Sequence, residues 1–408
     1  MLRKLSILLL SVALFLCLMP VAWADFSAAS KNISNSALDS KFPKIAYIGG
    51  TQNIYVAWIE TNGTDDWLYF SKSADAGTTW STPVELITWG QILGHSDDLA
   101  DNYAFSLAAS GSYVHLVLQW RSDPSDDFDI YYGRSSDYGE TWDTWFFMTV
   151  NTTNSRYPAV CAYGEYVHVA YQDSWPGNEE IMYKRIADYG AGAIDQTRRL
   201  TFSGTPSYYP RIAVSNGGYC VSVVYEDNSS GPYNLYYKHI DGYGSGTYQT
   251  KQLTFGTDPF NEFNGLPDIA TSVGDSSNQQ YVYIVYQAYW PGNREVMYKR
   301  LDNYGYGSFN IYTARLTYST TESQSNAVSF DPIYYYVHVS YHDSWPGNND
   351  VMYRKFDDGG GAGFTSQRVS WGTGDSSSAT VAASGAWAFV AWADDSSGNY
   401  EIYVKKGY

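Results

Sequence analysis

Cysteine is nearly absent: 3 in 408 residues, so no disulfide framework staples this chain and its stability must come from a large core. Charge is scarce at 16%, and basic charge scarcer still, with 25 Lys and Arg against 42 Asp and Glu. The resulting net charge of −17 repels phosphate backbones and anionic membranes, which excludes nucleic acid as a partner. A Gly-rich phosphate loop, a metal-ligand cluster and a nucleophile elbow are all missing, and no cofactor is expected. Beyond Val21 there is no long apolar run. The abundant residues are 40 Tyr, 14 Trp and 36 Gly, a composition of pleated, half-buried surfaces joined by tight turns. An all-β fold is the expectation.

The one apolar segment lies at the N-terminus. Arg3 and Lys4 precede Leu5 to Val21, and Ala22-Trp23-Ala24 supplies a small-x-small cleavage pattern, so residues 1–24 read as a signal peptide cut after Ala24. Pro20 interrupts the segment, which is short for a spanning helix, and Leu14-Phe15-Leu16-Cys17 lacks the small residue that lipoprotein processing requires. The mature chain is therefore expected outside the cytoplasm, not inserted in a membrane, and monomeric. Loss of Arg3 and Lys4 takes its net charge from −17 to −19, since no acidic residue precedes Asp25. Cys161 and Cys220 remain, in neighbouring repeats, either paired or as two buried thiols.

Self-similarity is the strongest signal. Tyr166 to Arg185 (YVHVAYQDSWPGNEEIMYKR), Tyr281 to Arg300 (YVYIVYQAYWPGNREVMYKR) and Tyr336 to Lys355 (YVHVSYHDSWPGNNDVMYRK) are copies of one unit. Weaker copies give seven marks: Trp58, Leu118, Tyr171, Tyr225, Tyr286, Tyr341 and Trp392. They stand about 50 to 60 residues apart, the length of four short strands with their turns. This predicts one seven-bladed β-propeller over 25–408, with blades near 35–85, 86–149, 150–202, 203–255, 256–318, 319–371 and 372–408.

Within a unit, a first strand opens on patterns such as Phe42-Pro43-Lys44-Ile45, Tyr209-Pro210-Arg211-Ile212 and Leu266-Pro267-Asp268-Ile269, with proline at the strand start. The YVHV segment alternates with period 2, as in a strand packed differently on its two faces. EIMYKR is the third strand and Arg199-Leu200-Thr201-Phe202 the fourth. The last unit ends after its third strand. Because Ile33 precedes Pro43 by ten residues as Leu200 precedes Pro210, residues 26–34 are expected to complete it and close the ring.

Ser73-Ala74-Asp75-Ala76-Gly77-Thr78-Thr79-Trp80 and Ser135-Ser136-Asp137-Tyr138-Gly139-Glu140-Thr141-Trp142 both fit S-x-D-x-G-x-T-W. This resembles the Asp-box, the bacterial neuraminidase repeat of sialidase-superfamily propellers, and the resemblance implies that fold over the whole mature chain. It assigns Ser73, Asp75, Gly77, Trp80, Ser135, Asp137, Gly139 and Trp142 to structural turns, on the face opposite the family's active site. Sialidase chemistry resembles a stricter pattern of three arginines on a carboxylate, a Tyr nucleophile with a Glu, and an Asp acid. The sequence departs from it: Lys44 stands where an arginine motif is sought, and only Arg121 and Arg294 fall in loops of the expected active face.

The candidate ligand loops join second and third strands: Asp173-Ser174-Trp175-Pro176-Gly177-Asn178, Tyr289-Trp290-Pro291-Gly292-Asn293 and Asp343-Ser344-Trp345-Pro346-Gly347-Asn348. Trp175, Trp290 and Trp345 suit stacking on sugar rings, while Asp173, Asp343, Asn178, Asn293 and Asn348 suit its hydroxyls. Equally, each loop reads as a Pro-Gly turn whose Trp packs on the next blade and whose Asp and Asn satisfy turn amides. Asp97, Asp98 and Asp101 are candidates for structural calcium, or a solvated acidic surface. His115, His168 and His338 share a repeat position and read as packing, whereas His95 and His342 lie nearer the ligand face, and His342 with a neighbouring Tyr suits lyase-type proton abstraction. Three functions follow in order: recognition of glycans or cell-surface proteins, a glycan-active enzyme (exo-sialidase-like hydrolase or polysaccharide lyase), and a structural surface protein.

Overall fold

A β-branched and aromatic chain with a turn every eight to twelve residues folds as meanders, each strand pairing with the next. The structure, a computed structural model, describes residues 26, 28–87, 91–93, 101–175, 177–215, 217–255, 264–272, 280–289, 292–305, 311–345, 347–357 and 365–407. The signal-peptide reading of residues 1–24 therefore lies outside the described residues. Seven four-stranded antiparallel sheets are present, six in simple sequence order. Their first strands, Asp39–Tyr47, Phe105–Ser110, Ser155–Tyr163, Ser207–Val214, Asn264–Thr271, Ser323–Asp331 and Ser376–Ser384, stand side by side around one axis. This is a seven-bladed β-propeller. No helix among the described residues is long and apolar enough to cross a membrane.

The seventh sheet is closed by the N-terminus. Lys31–Asn32 pairs antiparallel with Glu401–Gly407, and the Ile33 amide donates to the Ile402 carbonyl at 2.8 Å. The Ser34 hydroxyl accepts the Ile402 amide at 2.8 Å, as Thr201 accepts Ile181 and Thr317 accepts Val296 in ordinary blades. Residues 31–34 thus occupy a fourth-strand position chemically as well as topologically.

The structure sharpens one detail of the sequence reading and corrects another, the position of the prolines. Second strands are buried on both faces, as in Ile54–Thr61 and Val221–Asp227, because each blade is sandwiched between two others; the alternation marks which neighbour a side chain meets. Pro43, Pro210 and Pro267 lie inside the first strands, at a bulge between Lys41 and Lys44, Tyr208 and Arg211, and Gly265 and Asp268. The preceding residues, Phe42, Tyr209 and Leu266, hold φ of 57°, 50° and 50°. A bulge leaves one residue out of the ladder, so proline's missing N–H forfeits no bond there.

On the lower face the third-to-fourth-strand hairpins interlock the blades. In the first, Ser73 Oγ accepts the Gly77 amide at 2.8 Å and Asp75 accepts the Thr79 amide at 2.8 Å; Ser135 and Asp137 repeat this with Gly139 and Thr141. These bonds, the Thr79 amide foremost, pull the Asp75 carboxyl down to a pKa of about 2. Both Ala76 and Gly77 have positive φ, 55° and 79°. Glycine is also demanded by close approach: a Cβ on Gly139 would lie 2.8 Å from the Phe70 ring of the preceding blade.

Candidate central cavity

The bulges aim the residue after them at the axis. In register, Lys44, Ser106, Ala159, Arg211, Asp268, Ala327 and Thr380 are seven equivalents, each paired with the second-strand residue just before the aromatic or apolar mark, or its counterpart. All seven line one central cavity of about 190 Å³, with Asn102 and Tyr103 on its upper side. A sevenfold scaffold here carries unlike chemistry: two cations, one carboxylate, and four small side chains.

Lys44 Nζ donates to Asn102 Oδ1 at 2.8 Å. The Arg211 guanidinium lies 3.6 Å over the Tyr103 ring, and Asp268 accepts the Val328 amide at 2.8 Å. Among the described residues neither cation forms an ion pair with Asp268, although the three share the cavity. Burial first, and the Arg211 charge second, lower the Lys44 pKa to about 7. Burial raises Asp268, against the opposing pull of Arg211, and raises the Tyr103 hydroxyl. One shell behind, Glu226 is buried, accepts the Leu266 amide at 2.6 Å, and is pushed up by that burial to about 8. Among the residues lining the cavity, two basic side chains, Lys44 and Arg211, stand against one acid, Asp268, in a strongly acidic protein.

The residues singled out from the loops lie elsewhere. Trp175 and Trp345 stand out on the upper face, 67% and 70% exposed; Trp290 lies outside the described residues. Asp173 and Asp343 are buried, each accepting the amide of its loop tryptophan at 2.7 Å and a serine hydroxyl. Asn178 and Asn293 donate to the Thr205 and Thr321 carbonyls, at 2.9 and 2.5 Å, and Asn348 donates to the Gly374 carbonyl, so these amides tie a loop to the following blade link. Arg121 bonds Gln91 at 3.0 Å and Pro124 at 2.9 Å while covering Phe128, and Arg294 faces Glu322 at 3.8 Å. Neither arginine lines the central cavity.

His115, His168 and His338 bond the hydroxyls of Tyr132, Tyr183 and Tyr353 at 2.9, 2.8 and 2.6 Å, and burial lowers each to about 3, leaving neutral packing groups. His342 is buried and lowered to about 4 by that burial. His95, Asp97 and Asp98 fall outside the described residues, and Asp101 is buried. Cys161 and Cys220 are free thiols. Cys220, His239 and Asp241 bring ligand-type atoms within 4.8 Å of one another, with His239 Nε2 and Asp241 Oδ1 at 2.6 Å. They replace the aromatic–cation pair seen at the same place in other blades, such as Arg185 over Tyr166 at 4.2 Å.

The sequence did contain a signal for the cavity. In FPKI, YPRI and LPDI the proline and isoleucine repeat while the residue between them changes charge.

No protein-family model matches the sequence, and no curated protein does. Solved structures match the fold. A mutant of NanB sialidase from Streptococcus pneumoniae superimposes with a TM-score of 0.55 at 10% identity, over 78% of this chain and 67% of that one. An α-L-arabinofuranosidase of family GH93 from Fusarium graminearum, in complex with arabinobiose, gives 0.52 at 14% identity over 82% and 98%. An ulvan lyase, a polysaccharide lyase of family PL25 bound to GlcA(1-4)Rha3S units, gives 0.55 at 11% identity over 92% and 95%. The chain is thus a sialidase-like β-propeller in fold, with glycan-active proteins among its structural neighbours.

Proposed function

We propose that this protein is an exported glycan-recognition propeller whose central cavity receives the carboxylate of an acidic sugar. The observation that carries the reading is the ring of seven equivalent positions, where Lys44 and Arg211 face the cavity and Asp268 neutralises neither by direct contact. A carboxylate entering there gains charge-assisted hydrogen bonds from Lys44 and Arg211. Arg211, seated on Tyr103, presents a planar fork; Lys44, held by Asn102, is a point charge; Asp268 remains as an acceptor for a sugar hydroxyl. The structural neighbours named above include proteins acting on or bound to glycans, which supports the same class of ligand. Export rests on the segment before Asp25, and a mature N-terminus found elsewhere by terminal sequencing removes that part of the reading.

The test is calorimetric titration with galacturonate and glucuronate oligosaccharides, sialyllactose and their neutral counterparts. Acidic sugars are expected to bind and neutral ones to bind weakly. Arg211→Gln should reduce the acidic affinity roughly 10- to 100-fold, the scale of a hydrogen bond to a charged group. Equal affinity for neutral and acidic sugars, or an Arg211→Gln variant that binds as the parent does, sinks the proposal.

A second reading is catalytic, and it is favoured by the placement of Lys44 and the half-buried Arg211 in one cavity, where burial and the Arg211 charge push the lysine down to about 7. Such an amine is an effective proton acceptor at neutral pH, and Arg211 on a uronate carboxylate would acidify the adjacent C–H, the arrangement β-elimination needs. Growth of unsaturated-uronate absorbance on incubation with polyuronates, lost in Lys44→Gln, distinguishes lyase from binding module.

A further inference from the structure

Large aromatic side chains held out in water require an explanation when they recur at one place. After the fourth strand, Phe202, Tyr318 and Trp371 occupy one repeat position and are 67%, 72% and 71% exposed. Each is backed by an arginine three residues earlier. The guanidinium of Arg199 lies 4.7 Å from the Phe202 ring centre, that of Arg315 4.6 Å from Tyr318, and that of Arg368 4.5 Å from Trp371.

These arginines are themselves fixed. Their Nε atoms donate to the carbonyls of Thr201, Thr317 and Ser370, at 2.7, 2.6 and 3.0 Å. Their Nη2 atoms pair with Glu180, Glu295 and Asp350, all fully buried carboxylates. A buried acid thus anchors an arginine, and the arginine covers one face of a ring whose other face stays in solvent. Three blades repeat this device. Rings wanted only for packing would be tucked into the core; these are pre-oriented outward, which lowers the entropy lost when something stacks on them.

All three rings lie on the upper face, where the fourth strand hands over to the next blade, together with Trp175 and Trp345 of the second-to-third-strand loops. Between blades five and six, Tyr318 and Trp345 line one groove of about 290 Å³, with Ser319, Asp343, Arg354 and Ser366.

We infer that this upper rim is a track for an extended polysaccharide chain, separate from the central cavity. A contact repeated from blade to blade fits a ligand that is itself repetitive, which a polysaccharide is and a folded partner is not. Flat apolar faces beside hydroxyl, carboxylate and guanidinium groups suit a pyranose, with its C–H face and its equatorial hydroxyls. A lipid surface is disfavoured by the net charge of −17 and by a groove lined with polar groups.

The inference does not rest on the acidic-sugar reading, and one experiment separates them. Native gel electrophoresis through polygalacturonate, arabinoxylan or dextran is run on the parent, on the triple variant Tyr318→Ala/Trp345→Ala/Trp371→Ala, and on Arg211→Gln. At least one polymer should retard the parent, and the triple variant should lose about tenfold in apparent affinity, with its melting temperature and its calorimetric binding of short acidic oligosaccharides unchanged. Arg211→Gln should lose the short ligands and keep the polymer retardation. Retardation of the triple variant equal to that of the parent overturns the track, as does a parent that none of the three polymers slows. A triple variant that instead loses binding to zwitterionic or anionic vesicles, or loses self-association in sedimentation, assigns the rim to a membrane or to a second copy and overturns it likewise. Failure of Arg211→Gln to alter short-ligand binding strikes the central cavity alone.

Discussion

The Ser34 hydroxyl accepts the amide of Ile402 at 2.8 Å, joining residues 368 positions apart at the seam of the ring. Beside it Ile33 is buried, and the Ser34 hydroxyl also donates to Glu401. The two ends of the chain therefore form one sheet, and the ring has no open edge there.

Closure is accordingly expected to be a stability term. Ile33→Ala should cost about 2–5 kcal/mol by leaving a cavity under the last blade. Ser34→Ala should cost about 1–3 kcal/mol, because the Ile402 amide loses its acceptor inside the sheet. Denaturant melts of the mature chain measure both, and a midpoint equal to the parent's in both variants would show that the seam contributes nothing.

Binding at the cavity should depend on pH through Lys44. Its pKa near 7 means the ammonium is present below that value and lost above it, while Arg211 stays charged throughout. The groups facing Lys44 are Asn102, Arg211 and Asp268. Affinity for an acidic sugar should fall as pH rises from 6 to 8, and Lys44→Arg, which keeps its charge, should flatten that fall. A parent whose affinity is constant over this window refutes the assignment.

Glu226 should make the fold itself pH-sensitive. Burial raises its pKa from 4.5 to about 8, so the native state keeps a proton that the unfolded chain releases. The sign follows: stability tied to the neutral carboxyl is complete below 4.5 and is lost as pH rises through 8. Glu226→Gln keeps an acceptor for the Leu266 amide without the ionisable group, so its stability relative to the parent should rise between pH 5 and 9. Parallel melting curves for the two proteins across that range would exclude the effect.

Much of this architecture is legible in the chain. The repeat marks, the turn residues Asp75 and Gly77, and the ten-residue spacing from Ile33 to Pro43 follow from local rules of strand pairing and turn geometry. The site was harder to read for a physical reason. Lys44, Arg211 and Asp268 each look like a strand residue after a proline, and they are separated by 167 and 57 positions. Their meeting depends on the bulge just before each of them, which re-aims the side chain, and on the ring, which turns seven strand positions into one circle. The WPGN loops show the converse: their Asp and Asn look like ligand groups, yet each Asp is taken up by the amide of its own loop's tryptophan and each Asn by a carbonyl of the following blade link.

By itself the sequence determined seven units, four strands in each, and a borrowed N-terminal strand, because periodicity and turn chemistry act within a few dozen residues. Only the tertiary structure decided which side chains face the axis, which tryptophans stay in water, and where two cations come together with no ion pair to either among the described residues. Those outcomes depend on contacts between blades, and no single repeat carries the information about what its neighbours will cover.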